Sequence, residues 1–298
     1  MATQKELLIE LPEIFDFSIN LAYMQRNPKE CMYAVKEGTI MRALDVGGVR
    51  TLFQITCPDN RFLHVHFLTG IKPENKNAIA AFIRNWFDLD NDPTLFYEMA
   101  QKDPLLKQTV SDFYGLRNIG FPDLFEALCW GILGQQINLG YAYTLKRQFV
   151  EKFGESVEYN GQAYWIFPSY EEIAKLQPAD LSDIKMTMKK SEYIIGVAQL
   201  MANGALSKEK LMALGDFKQI EKELIKIRGI GPWTANYVLM RCLRFPTAFP
   251  IDDVGLINAL KLQMALDRKP TKQEILNAAV SWKDWEAYAT FYLWRLLY

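Results

Sequence analysis

Two glycines one residue apart, followed by a proline, constrain this chain more than any other stretch. In LIKIRGIGPWTANYVLMRCLRFPTAFPIDDVGL, residues 224–256, a helix-like run ends at Ile227 and the chain turns through Gly229-Ile230-Gly231-Pro232. A second helical run, Trp233 to Leu243, follows. A connector carrying Pro246 and Pro250 then delivers two adjacent carboxylates, Asp252 and Asp253. Glycines so spaced let the backbone turn tightly and approach a partner with no Cβ in the way. They also open a helix whose unpaired amides and dipole favour an anion. The hairpin therefore offers a phosphate site, with a negative charge on the connector nearby. An ordinary tight turn between packed helices would look much the same. Arg228, Lys222, Lys226 and the hydroxyl of Thr234 favour a DNA backbone as the anion. Asp252 and Asp253 precede a helical run, so one of them fits an N-cap. One equally fits a carboxylate that stabilises a developing positive charge.

The whole-chain charge sets a limit on that reading. Net charge is −1 over 298 residues, so bulk charge cannot hold nucleic acid, and any DNA contact must be local. Lys185, Lys189 and Lys190 form a second basic cluster whose simplest reading is a solvated face. No apolar run approaches a membrane span and MATQKELLIELPE lacks the regions of a signal peptide, so no membrane partner is expected. Cys31, Cys57, Cys129 and Cys242 are scattered without a CxxC pair, which suggests neither zinc nor an iron–sulfur cluster. Four free thiols fit a reducing cytoplasm.

Residues 7 to about 68 read mainly as strands, with a turn at Gly47-Gly48, and a helix follows Pro73. His64 and His66 share one strand face with no third ligand in sight, and read as ordinary strand residues. After Pro93 helical periodicity takes over, with candidate caps at Asp123, Ser169 and Thr271. The run 122–153 is too long for one typical helix, and Gly134-Gln135-Gln136-Ile137-Asn138 marks the break. Residues 155–167 read as a short hairpin or loop. The expected fold class is mainly α with a smaller α+β N-terminal domain. That domain spans residues 1–108, and an all-helical domain spans 109–298 with a helix-hairpin-helix at about 217–243.

Taken together, IRGIGPWTANY and PIDDVGL, with Asp253 twenty residues after Trp233, resemble the helix-hairpin-helix DNA glycosylases. The match is nearest to the DNA-3-methyladenine glycosylase II enzymes. GLRNIGFPDLFEALCWGILGQQI, the tail WKDWEAYATFYLWRLL and, more loosely, FDFSINLAYMQR agree with it. The resemblance implies that Asp253 is the catalytic aspartate and that Gly229 and Gly231, with Thr234, grip the DNA backbone. Trp233, Tyr237, Trp294 and Tyr23 would line the base pocket. Gln136 would be the wedge that fills the space left by the flipped nucleotide. No cofactor or metal is expected beyond a monovalent cation at the hairpin–phosphate contact. Three positions depart from the family pattern: polar Gln136 replaces a leucine wedge, Val254 an aromatic residue, and Arg228 a frequent proline. These bear on pocket shape and substrate range rather than on the reaction.

Relatives that also cut the strand carry a lysine at the start of the second hairpin helix, where this chain has Trp233 and Thr234. With no amine there for a Schiff base, the expectation is a monofunctional glycosylase. It would hydrolyse the N-glycosidic bond of alkylated purines such as 3-methyladenine and 7-methylguanine in duplex DNA and leave an abasic site. It would work as a cytoplasmic, nucleoid-associated monomer upstream of abasic-site repair enzymes. The rival readings are an oxidised-purine glycosylase of the same fold and a non-catalytic lesion-binding module. The missing lysine weighs against the first, and the paired acids with the aromatic tail against the second.

Overall fold

The computed structural model describes residues 5–297. The N-terminal part begins with β1 (Glu6–Glu10) and α1 (Phe17–Met24). The strands β2 (Ala34–Lys36), β3 (Thr39–Val46), β4 (Val49–Thr56) and β5 (Phe62–Phe67) follow, then α2 (Lys76–Trp86). The helices α3 (Thr94–Ala100), α4 (Lys107–Asp112), α5 (Leu124–Leu133) and α6 (Leu139–Phe153) come next. A hairpin, β6 (Glu155–Tyr159) and β7 (Gln162–Ile166), interrupts the helices. The chain continues through α7 (Tyr170–Ile173), α8 (Met188–Ala202), α9 (Lys208–Ala213), α10 (Phe217–Lys226) and α11 (Pro232–Arg241). It closes with α12 (Val254–Gln263), α13 (Lys272–Ala278) and α14 (Glu286–Trp294).

The five N-terminal strands form an antiparallel sheet in the order β1-β5-β4-β3-β2. Alternation decides its faces. In β5, Leu63, Val65 and Phe67 are buried against the core, while His64 and His66 face outward. His66 Nδ1 lies 3.5 Å from Glu6, and no group of three metal-ligating side chains occurs among the described residues. The opposite face is closed in part by the β6–β7 hairpin, whose Tyr164 and Ile166 pack on Ala43 and Leu52. The C-terminal part is thus not all helical. A hairpin was one of two options for residues 155–167, because Tyr159-Asn160-Gly161 signals a turn while the flanking strands are short and half-buried.

The helical part is arranged around α5, every residue of which is buried, as expected of a helix apolar on all sides but for one carboxylate, Glu126, which is ion-paired. Asp123 caps it by accepting from Glu126 N at 2.7 Å. Ser169 and Thr271 are caps as well. The break at 134–138 separates α5 from α6, and within it Gln136 takes a positive φ of 57°. The long helical run therefore splits where the glycine and polar residues sit. Lys190 corrects the expectation of a solvated basic face. It is buried, and its Nζ donates to the Leu133 carbonyl at the end of α5 (2.8 Å). A stranded C-terminal carbonyl there would be costly, and a cation suits that end of the dipole. No described helix is long and apolar enough to cross a membrane.

Candidate active site

The turn Gly229-Ile230-Gly231-Pro232 joins α10 to α11 and orients the start of α11 toward a cavity of about 880 Å³. The two glycines act differently. Gly229 has φ +93°, and a Cβ there would lie 2.3 Å from the Tyr193 ring, so only glycine fits. Gly231 is the N-cap of α11 at φ −90°, and a Cβ there would meet nothing within 4 Å. It faces open space where a partner can approach. The amides of Gly231, Trp233 and Thr234 have no hydrogen-bond partner among the described residues. Pro232 at the first helical position has no N–H to offer. The Thr234 side chain is turned inward and is 2% exposed, with its hydroxyl accepting from Gln135 Nε2 at 3.4 Å. Its hydroxyl does not reach the outer face, and only its backbone N–H remains for an anion.

Asp253 sits at the N-cap of α12 and lines the cavity. Oδ1 accepts from Leu256 N at 2.8 Å and from Trp294 Nε1 at 2.8 Å. Oδ2 accepts from Trp233 Nε1 at 3.0 Å. The two sequence readings of this residue are therefore one: capping leaves Oδ2 free to be set by an indole. Three donors suit an acceptor-only carboxylate, and together they fix its plane. Close packing requires the glycine two residues on, since a Cβ at Gly255 would lie 2.9 Å from Asp253 Oδ1 and 3.0 Å from the Trp294 ring. Asp252 is exposed instead, with Lys272 Nζ at 3.5 Å.

Trp233, Tyr237 and Trp294 form one wall. Ring centroids are 5.5 Å apart for the first pair and 6.2 Å for the second, both tilted by about 30°. Tyr23 from α1 and Trp130 from α5 also line the cavity. Helix α1 is tied down by buried Asn20, which donates to Gly115 O at 2.9 Å and accepts from Arg117 N at 2.8 Å. Beneath the wall, the Arg241 guanidinium lies 5.1 to 5.6 Å from the Phe291, Phe121, Tyr237 and Trp294 rings. It also donates to the Tyr237 hydroxyl at 3.2 Å. Burial raises the Tyr237 phenol far above its usual range, so it stays a neutral hydroxyl.

Gln136 is exposed at the cavity mouth and is presented by its left-handed backbone. Its neighbour Gln135 donates to Gly229 O at 2.8 Å and so ties this turn to the hairpin. The structure brings together all the aromatic pocket residues with Asp253. The sequence reading missed Gly255, Gln135, Trp130, Arg26 and Arg241 as lining or supporting residues. Gly255 alone carried a signal, being a glycine in the first turn of a helix, where a better helix former is the default.

Residues 129–284 match the family model for HhH-GPD superfamily base excision DNA repair proteins. Residues 8–128 match that for the 8-oxoguanine DNA glycosylase N-terminal domain. A DNA-3-methyladenine glycosylase of Bacillus subtilis (strain 168) is 61% identical over 295 residues, 98% of this chain and 97% of that protein. The solved 3-methyladenine DNA-glycosylase from Archaeoglobus fulgidus is 23% identical and superposes with a TM-score of 0.81 over 97% of both chains. The Clostridium acetobutylicum 8-oxoguanine glycosylase/lyase in complex with double-stranded DNA is 19% identical, with a TM-score of 0.76 over 99% of this chain and 95% of that one. These two structural likenesses speak for the fold. The matches along both halves, and the identity to a full-length relative, place the chain in the HhH-GPD superfamily of base excision DNA repair proteins, among its DNA-3-methyladenine glycosylases.

Proposed function

We propose that this glycosylase is monofunctional and hydrolyses the N-glycosidic bond of alkylated purines, such as 3-methyladenine and 7-methylguanine, in duplex DNA. The observation that carries this reading is the Asp253 carboxylate, held by two indole N–H groups and a helix-cap amide in an aromatic cavity. No lysine lines that cavity among the described residues, which leaves no amine for a Schiff base. The 61% identical Bacillus subtilis relative, named a DNA-3-methyladenine glycosylase, supports the substrate class. The 8-oxoguanine N-terminal match favours an oxidised-purine substrate only at the level of the domain.

In this mechanism the hairpin amides hold a phosphate, and Gln136 enters the stack while the damaged nucleotide rotates out. An alkylated base lies against Trp233, Tyr237 and Trp294. Cation–π attraction favours a base that carries a ring charge. That charge also makes the base a good leaving group without a general acid. Asp253 faces the sugar as positive charge develops at C1′, and stabilises it electrostatically while water adds. The Arg228 and Ile230 carbonyls, which accept no hydrogen bond among the described residues, are oxygen donors for a monovalent cation shared with the phosphate. The product is an abasic site, which a monomer would release to abasic-site repair enzymes.

The test is base release from methylated duplex DNA, resolved by chromatography, with wild type beside Asp253→Asn. Wild type is expected to release 3-methyladenine and 7-methylguanine, and the variant to be slower by about a hundredfold or more, the scale of removing one electrostatic stabiliser. Full activity in the variant would overturn the role of Asp253. A covalent product trapped with borohydride would overturn the monofunctional assignment.

A further inference from the structure

The cavity wall holds a cation that this mechanism does not use. Arg26 follows α1 and lines the cavity on the side of Tyr23. Its Nη1 donates to the Tyr23 carbonyl at 3.0 Å, and its Nη2 donates to the Tyr143 hydroxyl at 3.0 Å. Its guanidinium carbon lies 3.9 Å from the centroid of the Tyr23 ring, so the group is held by a cation–π contact as well as by hydrogen bonds. Tyr143 is itself buried and packs on Trp130, with ring centroids 4.8 Å apart. The fork is therefore fixed in place before any ligand arrives. A guanidinium has five N–H donors, and only these two find partners among the described residues. The rest have no partner among the described residues, on a side chain that lines the cavity.

A fixed positive charge in a pocket for cationic bases is a conflict. It weakens binding of every such base alike, whatever its hydrogen-bonding edge. An apolar or aromatic side chain would avoid that cost. The guanidinium gains only against a base that presents an acceptor. The edges of the two alkylated purines differ at N1, C2 and C6, and at C6 7-methylguanine carries a carbonyl oxygen where 3-methyladenine carries an amino group. Against the amino group a guanidinium sets donor against donor; against the carbonyl it makes a charge-assisted bond.

Resting on the glycosylase reading above, we propose that Arg26 is a specificity-determining residue that donates to the C6 carbonyl of a flipped oxo-purine. It thereby tilts the pocket toward guanine-type over adenine-type alkylated bases, and Tyr143 is its positioning residue.

The experiment compares single-turnover release of 7-methylguanine and 3-methyladenine from one methylated DNA by wild type, Arg26→Met, Arg26→Lys and Tyr143→Phe. Both bases are cations in DNA, so the charge conflict cancels in their ratio and the hydrogen bond does not. Arg26→Met is expected to lower the 7-methylguanine to 3-methyladenine ratio by about tenfold or more, the scale of one charge-assisted bond. Arg26→Lys keeps the charge without the fork and should recover part of the ratio. Tyr143→Phe should shift it in the same direction by less, and covers the case that Arg26→Met does not fold. An unchanged ratio overturns the proposal, whether or not both rates fall. A uniform fall with a salt slope of binding smaller by about one would assign Arg26 to a phosphate instead. Failure of the wild type to release either base would overturn the glycosylase reading itself, a result distinct from an unchanged ratio.

Discussion

The carboxylate of Asp253 shows how one residue carries a cap and a site at once. That one of two adjacent acids caps the following helix was legible from the residues, and Asp253 rather than Asp252 was singled out only by the family resemblance. The indoles that set its plane were not legible, because Trp233 is 20 and Trp294 is 41 residues away and only the fold brings their N–H groups to the two oxygens. Trp233 and Trp294 are thus more than walls for a base. A hydrogen bond to a charged group is worth roughly 1.5–3 kcal/mol, and about 1.4 kcal/mol is tenfold in rate. Trp233→Phe and Trp294→Phe are each expected to slow base release about tenfold or more while the ring wall persists. Single-turnover kinetics with saturating enzyme would read this. A loss confined to DNA affinity would contradict an aiming role and leave only a wall. Gly255→Ala provides a second probe of the same geometry. Its methyl would press on Oδ1, and the expected result is a loss in the chemical step comparable to that of the indole variants.

At the scale of elements, much was legible. The caps at Asp123, Ser169 and Thr271, the break before α6, and the two helices flanking the hairpin all follow from residue type and period. The inward turn of Thr234 and the burial of Lys190 were not, because each is decided by what another helix leaves unpaired. Within the hairpin, sequence treats Gly229 and Gly231 alike and the structure separates them. Gly229→Ala places a side chain at positive φ and into the Tyr193 ring, so melting temperature and DNA affinity should fall together. Gly231→Ala fits the free protein, so the melting temperature should hold while affinity for duplex DNA falls, because the new methyl stands in the open space that the proposed phosphate contact would use. Melting curves beside salt-dependent binding would resolve the pair. Equal loss of stability in both variants would contradict the separation of roles.

At the scale of the whole molecule, the sheet and the helices are joined by buried charge as well as by a shared apolar core. Lys146 on α6 lies 3.0 Å from Glu126 on α5 and 3.2 Å from Glu30 in the segment before β2, and Arg42 on β3 lies 3.3 Å from Glu126. Scattered charges in four distant segments gave no sequence sign of this, since each alone reads as surface. Losing one member of a buried pair costs more than the pair contributes, about 3–5 kcal/mol, because the partners are left uncompensated. Lys146→Met leaves Glu30 without a cation and Glu126 with Arg42 alone, and should lower unfolding free energy by about that much in denaturant titration. A variant as stable as the parent would mean that water reaches the cluster. The same network sets an acid limit. Burial pushes the Glu30 carboxyl up, but Lys146 and the amides of Met32 and Cys31 outweigh it and hold the group below its ordinary value of 4.5. A carboxyl depressed in the folded state adds stability above its unfolded pKa and loses it as pH falls through the folded one. Melting temperature should therefore drop as pH goes below about 4.5. Glu30→Gln should begin lower at neutral pH and drop less on acidification, because the proton that dissolves the Lys146 contact in the parent has no group to bind in the variant. Parallel curves for the two proteins would assign the acid loss to other carboxylates and leave Glu30 without a part in it.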